Sequence, residues 1–254
     1  MIKFFRKIRQ KTLTENKFGK YLTYAIGEII LVVIGILIAL NINNFNNSRQ
    51  ERKIEQEYLL SLQTEFEINL MKINNSLKEN KERVNAVDDM LTLFDNNVRD
   101  TISDKAISNI MYSVFSGEAV YNPSNGVLTD IISSGNLNLI QNKKLRQRLA
   151  SFESKLEFLK LVENDVKSMK SQLKSQLNKN GSIRKVLIDR GLNFDHKSIS
   201  DSVNNRVIFS LTEFENSLLD YYLTIKAENG PRAFGGIKEE IEQILVDLDL
   251  EINK

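Results

Sequence analysis

Few residues in this 254-residue chain have the type and spacing to do chemistry. His196 is the single histidine and there is no cysteine, so neither a histidine-based zinc site nor a Cys/His nucleophile pair can be assembled. His196 stands in the polar stretch NFDHKS and reads as a surface side chain. Carboxylates cluster at Asp88 with Asp89, and again at Asp247, Asp249 and Glu251. On helices these read as solvated faces, and they lack the glycine-centred spacing of a calcium-binding loop. No glycine-rich phosphate loop, nucleophile elbow or kinase motif is present. The expectation is therefore a chain that is not an enzyme, with no catalytic, cofactor or metal residues. Carboxylates paired across two helices remain invisible to a linear reading.

One further ionisable residue stands in an unusual place. Glu28 lies inside LTYAIGEIILVVIGILIAL, Leu22 to Leu40. These nineteen residues make about 28 Å of helix, close to the ~30 Å of a bilayer core. The stretch reads as the one membrane span, with flanks placing it at 21–41. A carboxylate in hydrocarbon is costly and commonly faces a partner or a wet cavity. Gly35 falls seven residues on, on the same face, and Gly27 with Thr23 and Gly35 with Ala39 place small residues four apart, where a second helix can approach closely. Two readings stand. Gly27, Glu28, Gly35 and Ala39 form a helix-packing face, or Glu28 snorkels to the interface beside chance small residues.

The flanks orient the span. Residues 1–20 hold seven Lys or Arg against Glu15 alone, whereas the other side offers Arg49, Arg52 and Lys53 offset by Glu51. The excess retains the amino terminus in the cytoplasm and exports the remainder. Within the basic cytoplasmic segment 1–20, Met1, Phe4, Phe5 and Ile8 of MIKFFRKIRQ share one side of a helical projection, so this stretch forms either a short surface-lying helix or a disordered basic tail. A cleaved signal peptide has a shorter apolar region and a small-x-small site. Here Ala39 is followed by Leu40 and Asn41, which favours an uncleaved signal anchor. Phe18, Tyr21, Tyr24 and Phe45 suit the two interfaces, and Asn41, Asn43, Asn44, Asn46 and Asn47 mark the exit into water.

The block FFRKIRQKTLTENKFGKYLTYAIGEIILVVIGILIALNINNFN resembles the amino-terminal signature of a family of uncharacterised bacterial single-span membrane proteins, in which GEI…LVVIGILIAL…INN is typical. A weaker likeness continues through SSGNLNLIQNKKLR at 133–146. Phe45 stands where that family has Trp, which keeps a ring at the interface. The resemblance implies a topology and no chemistry.

Beyond the span, residues 42–254 make one domain. Overall charge is +2, so with the basic foot removed the body is mildly acidic, which argues against a nucleic-acid surface. Two prolines and eleven glycines among many Leu, Ile, Asn, Lys and Glu favour long helices. Apolar residues alternate three and four apart from Leu59 to Phe94, which predicts one helix over 48–94. Asn80 interrupts that stripe, either as a register-setting polar residue or, more commonly, at a solvated edge. Shorter helices are expected over 103–115 and 127–134, long ones over 143–178, 205–228 and 234–252, and a short one at 183–189. Asn142 is the expected cap of the 143–178 helix, Gly135 the left-handed residue that follows the 127–134 helix, and Gly181 and Gly230–Pro231 the later stops. The fold class is all-α: a transmembrane helix followed by an elongated antiparallel bundle of about four principal helices with coiled-coil-like seams.

The irregular stretch around Asn122, Pro123, Gly126, Gly135 and Leu137 reads as a possible interaction segment or as a tight corner between helices, since both need the same residues. Functionally, the sequence points to a membrane-anchored interaction or scaffold protein of the cell envelope. Its partners are the lipid bilayer and a second copy or another membrane protein. The alternative is a ligand-binding sensor bundle that signals through a partner. A cryptic hydrolase would need a convergent polar pocket.

Overall fold

A computed structural model describes residues 18–254. The residues expected to lie on the membrane surface, Met1 to Ile8, fall outside the described part. All the regular structure of the described residues is helical: α1 Phe18–Thr92, α2 Asn96–Arg99, α3 Asp104–Phe115, α4 Gly126–Ser133, α5 Lys143–Asn180, α6 Ile183–Asp189, α7 Thr212–Glu228 and α8 Phe234–Ile252. Two 3-10 turns, Asn136–Leu139 and Asn205–Ser210, complete it. Contacts divide the chain into two compact units, Met1–Gln56 and Glu57–Lys254, and α1 supplies residues to each.

In the first unit α1 carries the apolar stretch. Its side chains from Ile29 to Leu40 are open on all sides, and among the described residues α1 holds the one helical window apolar enough to cross a membrane.

In the second unit four limbs run alternately up and down. The rings of Phe66 on α1 and Phe152 on α5 meet edge-on at 5.2 Å in a lower apolar cluster, while Met90 and Leu173 belong to an upper one, so these two long helices run the same way. The return limbs are broken. One consists of α7 in the upper cluster followed by α8 in the lower. The other is α3, then a non-helical run, then α4 and the first 3-10 turn. The bundle of about four principal helices is thus two continuous helices and two composite limbs. Up-down connectivity makes consecutive limbs neighbours, and the one long connection, 181–211, carries α6 and the second 3-10 turn.

The non-helical run, buried at Ala119 and Tyr121 and half-buried at Pro123 and Ser124, solves a specific problem, because backbone shielded from water must find hydrogen bonds. Side chains supply them. On α1, Glu65, Asn69, Lys72 and Ser76 fall four, three and four apart on one face. Glu65 accepts from the amides of Val127 (2.7 Å) and Leu128 (3.1 Å), capping α4 from a different helix. Asn69 bonds Ser124 in both directions (2.6 and 2.7 Å). Lys72 donates to the Ser124 hydroxyl and Ser76 to the Val120 carbonyl. From α5, Glu163 accepts from the Tyr121 amide at 2.8 Å.

Several expectations hold in detail. Gly135 has φ +73°, Asn142 accepts from the Lys144 and Leu145 amides, and α6 spans the expected residues. Three need correction. The helix expected over 205–228 begins only at Thr212, because Asn205 is committed to the Ser182 backbone, accepting from its amide (2.6 Å) and donating to its carbonyl (3.1 Å). Val207, expected on the apolar stripe, is exposed while Ile208 and Phe209 are buried. Second, Asn80 is fully buried rather than at a solvated edge, and donates to the Ile225 carbonyl (2.7 Å) and to Asn229 (3.1 Å). Third, the acidic cluster of α8 is solvated only at Asp249; Asp247 and Glu251 are buried. With Glu240 they form a stripe facing the start of α5, where Arg148 bridges Glu240 (2.9 Å) and Asp247 (3.1 Å), Lys144 pairs with Asp247 and Lys155 with Glu240. Asn142 donates to Glu251 at 2.7 Å. Burial would raise the Glu240 carboxyl, but hydrogen bonds from Lys155 and Arg148 outweigh it and hold it below its ordinary range.

Candidate functional site

Where the two apolar clusters meet lies a layer of ionisable groups, half-buried at Glu163 and buried at the other positions, contributed by every limb. Arg83 comes from α1, Glu163 and Lys170 from α5, Tyr221 and Glu228 from α7, and Tyr121 from the non-helical run. The helices place them by simple register. Arg83 falls between Asn80 and Val87, Lys170 between Val166 and Leu173, and Glu228 three residues after Ile225, all positions that the three-and-four spacing turns inward.

Glu228 has no solvent exposure, and its nearest cation is Arg83, 3.9 Å away and itself 6% exposed. Neither Glu228 carboxylate oxygen makes a hydrogen bond, and the same holds for the Tyr221 and Tyr121 hydroxyls. Burial pushes the Glu228 carboxyl up to about 8, with the Glu163 carboxylate adding to the effect and Arg83 opposing it. Lys170 moves the other way. Burial, then Arg83 and Lys174, bring its ammonium down to about 8 against the pull of Glu118, while its Nζ donates to the Gly117 and Ser116 carbonyls. Burial also raises the Glu163 carboxyl and both tyrosines, Tyr221 to about 12. An acid and a base that both titrate near neutrality inside one layer can take up or release a proton where most side chains cannot. A linear reading does not single out this layer. Its signal is nonetheless present, as charged residues at inward positions of otherwise apolar stripes.

The residues that the sequence does single out lie elsewhere. Glu28, Gly35 and Ala39 are exposed on α1 and Gly27 half-buried, and a Cβ built at Gly27 or Gly35 would meet nothing within 4 Å. Asn122, Gly126 and Gly135 are exposed, while Pro123 and Leu137 are half-buried, Leu137 against the lower cluster. The backbone between Asn122 and Gly126 is the part held by Asn69 and Glu65. His196 is exposed beside Arg184, which donates to its Nε2 at 2.7 Å. Among the described residues, no three His, Asp or Glu side chains gather as a metal site would require.

No curated protein and no solved structure matches the chain. A protein family does: the family of unknown function DUF6090 matches residues 28–216. That span begins at Glu28, contains SSGNLNLIQNKKLR, and reaches into α7, so it takes in most of the bundle and most of the polar layer. With well over half of its length matched, the chain belongs to the DUF6090 family.

Proposed function

We propose that this chain is a single-pass protein of the cell inner membrane, with its amino terminus in the cytoplasm and its bundle in the periplasm. There it acts as a non-enzymatic interaction or scaffold protein of the envelope. The observation that carries this reading is the long apolar window of α1, none of which is buried. A core helix of that composition would be covered by its own chain, so this one needs lipid or a partner helix. The basic foot favours the inward orientation. Adjacent apolar side chains also lie open on three bundle helices, Phe158 with Leu161, Leu219 with Leu223, and Val246 with Leu250. Pairs of this kind support a body that meets other proteins.

Affinity capture of the full chain from detergent-solubilised membranes, quantified by mass spectrometry, tests this. A second copy or one membrane protein should be retained in stoichiometric amount, and Gly35→Leu, which fills the open face beside Glu28, should reduce that retention several-fold. Recovery of the chain alone, monomeric and unchanged by Gly35→Leu, would count against it. A second reading, a sensor-type bundle that binds a small ligand, is favoured by the polar layer and by the cleft that opens beside Lys170.

A further inference from the structure

Two cavities lie side by side where α3, α5 and α6 meet, and they share Phe115 and Lys174. The first is a cleft of about 460 Å³ bounded by Gly117, Glu118 and one face of α5. On that face Lys167, Lys170 and Lys174 recur at helical spacing, so three ammonium groups meet the single carboxylate of Glu118. Lys167 and Lys174 are exposed, and neither is in a salt bridge with a carboxylate among the described residues. The second is a recess of about 150 Å³ walled chiefly by Met111, Leu177, Ile183 and Val186. One shared wall is thus aromatic and the other cationic, and the polarity changes across it.

Like charges held together on a helix face are unfavourable unless an anion lies between them. An apolar recess likewise gains from a chain that displaces its water. We propose that this two-part cleft binds an amphiphile with one anionic head and an unbranched apolar chain, the head between Lys167 and Lys174 and the chain end in the recess behind Phe115. This rests on the ligand-binding reading and names its ligand class. The shared chemistry is that of a free medium-chain carboxylate and of a monoacyl phospholipid. The recess has room for several methylenes and for no folded element of a protein. Lys170, tied to the carbonyls of Ser116 and Gly117, would fix the floor of the head site, and it also stands in the buried layer, so occupancy would reach Arg83 and Glu228 through one side chain.

The test is photocrosslinking of the full chain, in nanodiscs of neutral lipid, with a diazirine analogue of decanoic acid, the adducts being mapped by peptide mass spectrometry. Adducts are expected within 111–115 or 177–187, competed by unlabelled decanoate or by lysophosphatidylglycerol and not by decyltrimethylammonium. Competition by one of the two anions alone identifies the source of the head group. The double substitution Lys167→Gln/Lys174→Gln, at exposed positions, should lower the adduct yield at least fivefold. Ile183→Trp, which fills the recess and leaves the lysines, should remove the adduct with helicity unchanged. Labelling confined to 22–40, labelling indifferent to the lysine substitutions, or equal competition by the cationic amphiphile would overturn the assignment. If a different solute stabilised the chain while both anions failed to compete, this assignment would fall and the ligand-binding reading would stand.

Discussion

Glu228→Gln is expected to abolish most of the pH dependence of stability between pH 5 and 8. The carboxyl of Glu228 ionises at about 8 in the folded chain, far above its ordinary value of 4.5. A group whose folded pKa is raised contributes stability that is complete below its unfolded pKa and is lost as pH rises through the folded one. The wild-type chain should therefore weaken progressively from about pH 4.5 to 8. At ~1.4 kcal/mol for each pH unit separating the folded from the unfolded pKa, the loss is on the order of 5 kcal/mol if fully expressed. Lys170 has the opposite sign, because its folded pKa is lowered to about 8. Its contribution is present above pH 10.5 and is lost as pH falls towards 8, so the two groups together place a trough near pH 8. The glutamine amide introduced by Glu228→Gln copies the neutral carboxyl that exists at low pH and leaves Arg83 in the same surroundings. The variant should match the wild type at pH 5 and exceed it at pH 8, with a small residual slope from Glu163, whose carboxyl burial also raises. Thermal unfolding of the full chain in detergent, followed by far-ultraviolet circular dichroism across pH 5–10, reads this. A flat wild-type profile, or an equal slope in the variant, would contradict it.

The second large effect is expected at Glu65. Its side chain is 6% exposed and holds the amides of Val127 and Leu128. Glu65→Ala strands the buried N–H of Leu128 and the part-buried N–H of Val127 at the start of α4, and removes a carboxylate from the positive end of that helix. An unmade buried bond costs about 1–3 kcal/mol, so the pair should destabilise by roughly 3 kcal/mol. The loss should be local at first. Hydrogen exchange at residues 124–133 should accelerate by at least an order of magnitude, while the middle of α5 keeps its protection. Glu65→Gln retains one acceptor and should fall between the two. Unaltered protection across α4 in the alanine variant would show that the segment is held by its apolar contacts at Leu128 and Ile131 alone.

Both effects involve residues that no single helix marks as important, and this explains what the sequence did and did not reveal. Local rules placed the structure where the decision is local. Gly135 takes the one backbone conformation that favours glycine, Asn142 reaches its own next amides, and the apolar spacing of 234–252 predicts α8 to the residue. The partners of a polar side chain at an inward position are set by other limbs. Glu65, Asn69 and Ser76 look like a hydrophilic face until the non-helical run lies on them. Asp247 looks solvated until Arg148 and Lys144 approach from α5. Asn205 is helix-compatible by spacing and is withdrawn from the helix by Ser182, 23 residues earlier. The polar layer follows the same logic, since Arg83, Lys170 and Glu228 acquire their character only when the limbs close around them.

The membrane tether is the premise from which the proposed role follows, and the absence of cysteine from the natural chain makes it directly testable. Single cysteines at position 10 and at the exposed Asn253, labelled in intact cells with a membrane-impermeant maleimide, report the side occupied by each end. Asn253→Cys should react in intact cells and Gln10→Cys only after lysis, with both chains remaining in the carbonate-washed membrane pellet. Reaction of Asn253→Cys only after lysis, or recovery of a soluble chain beginning after Ala39, would contradict the account.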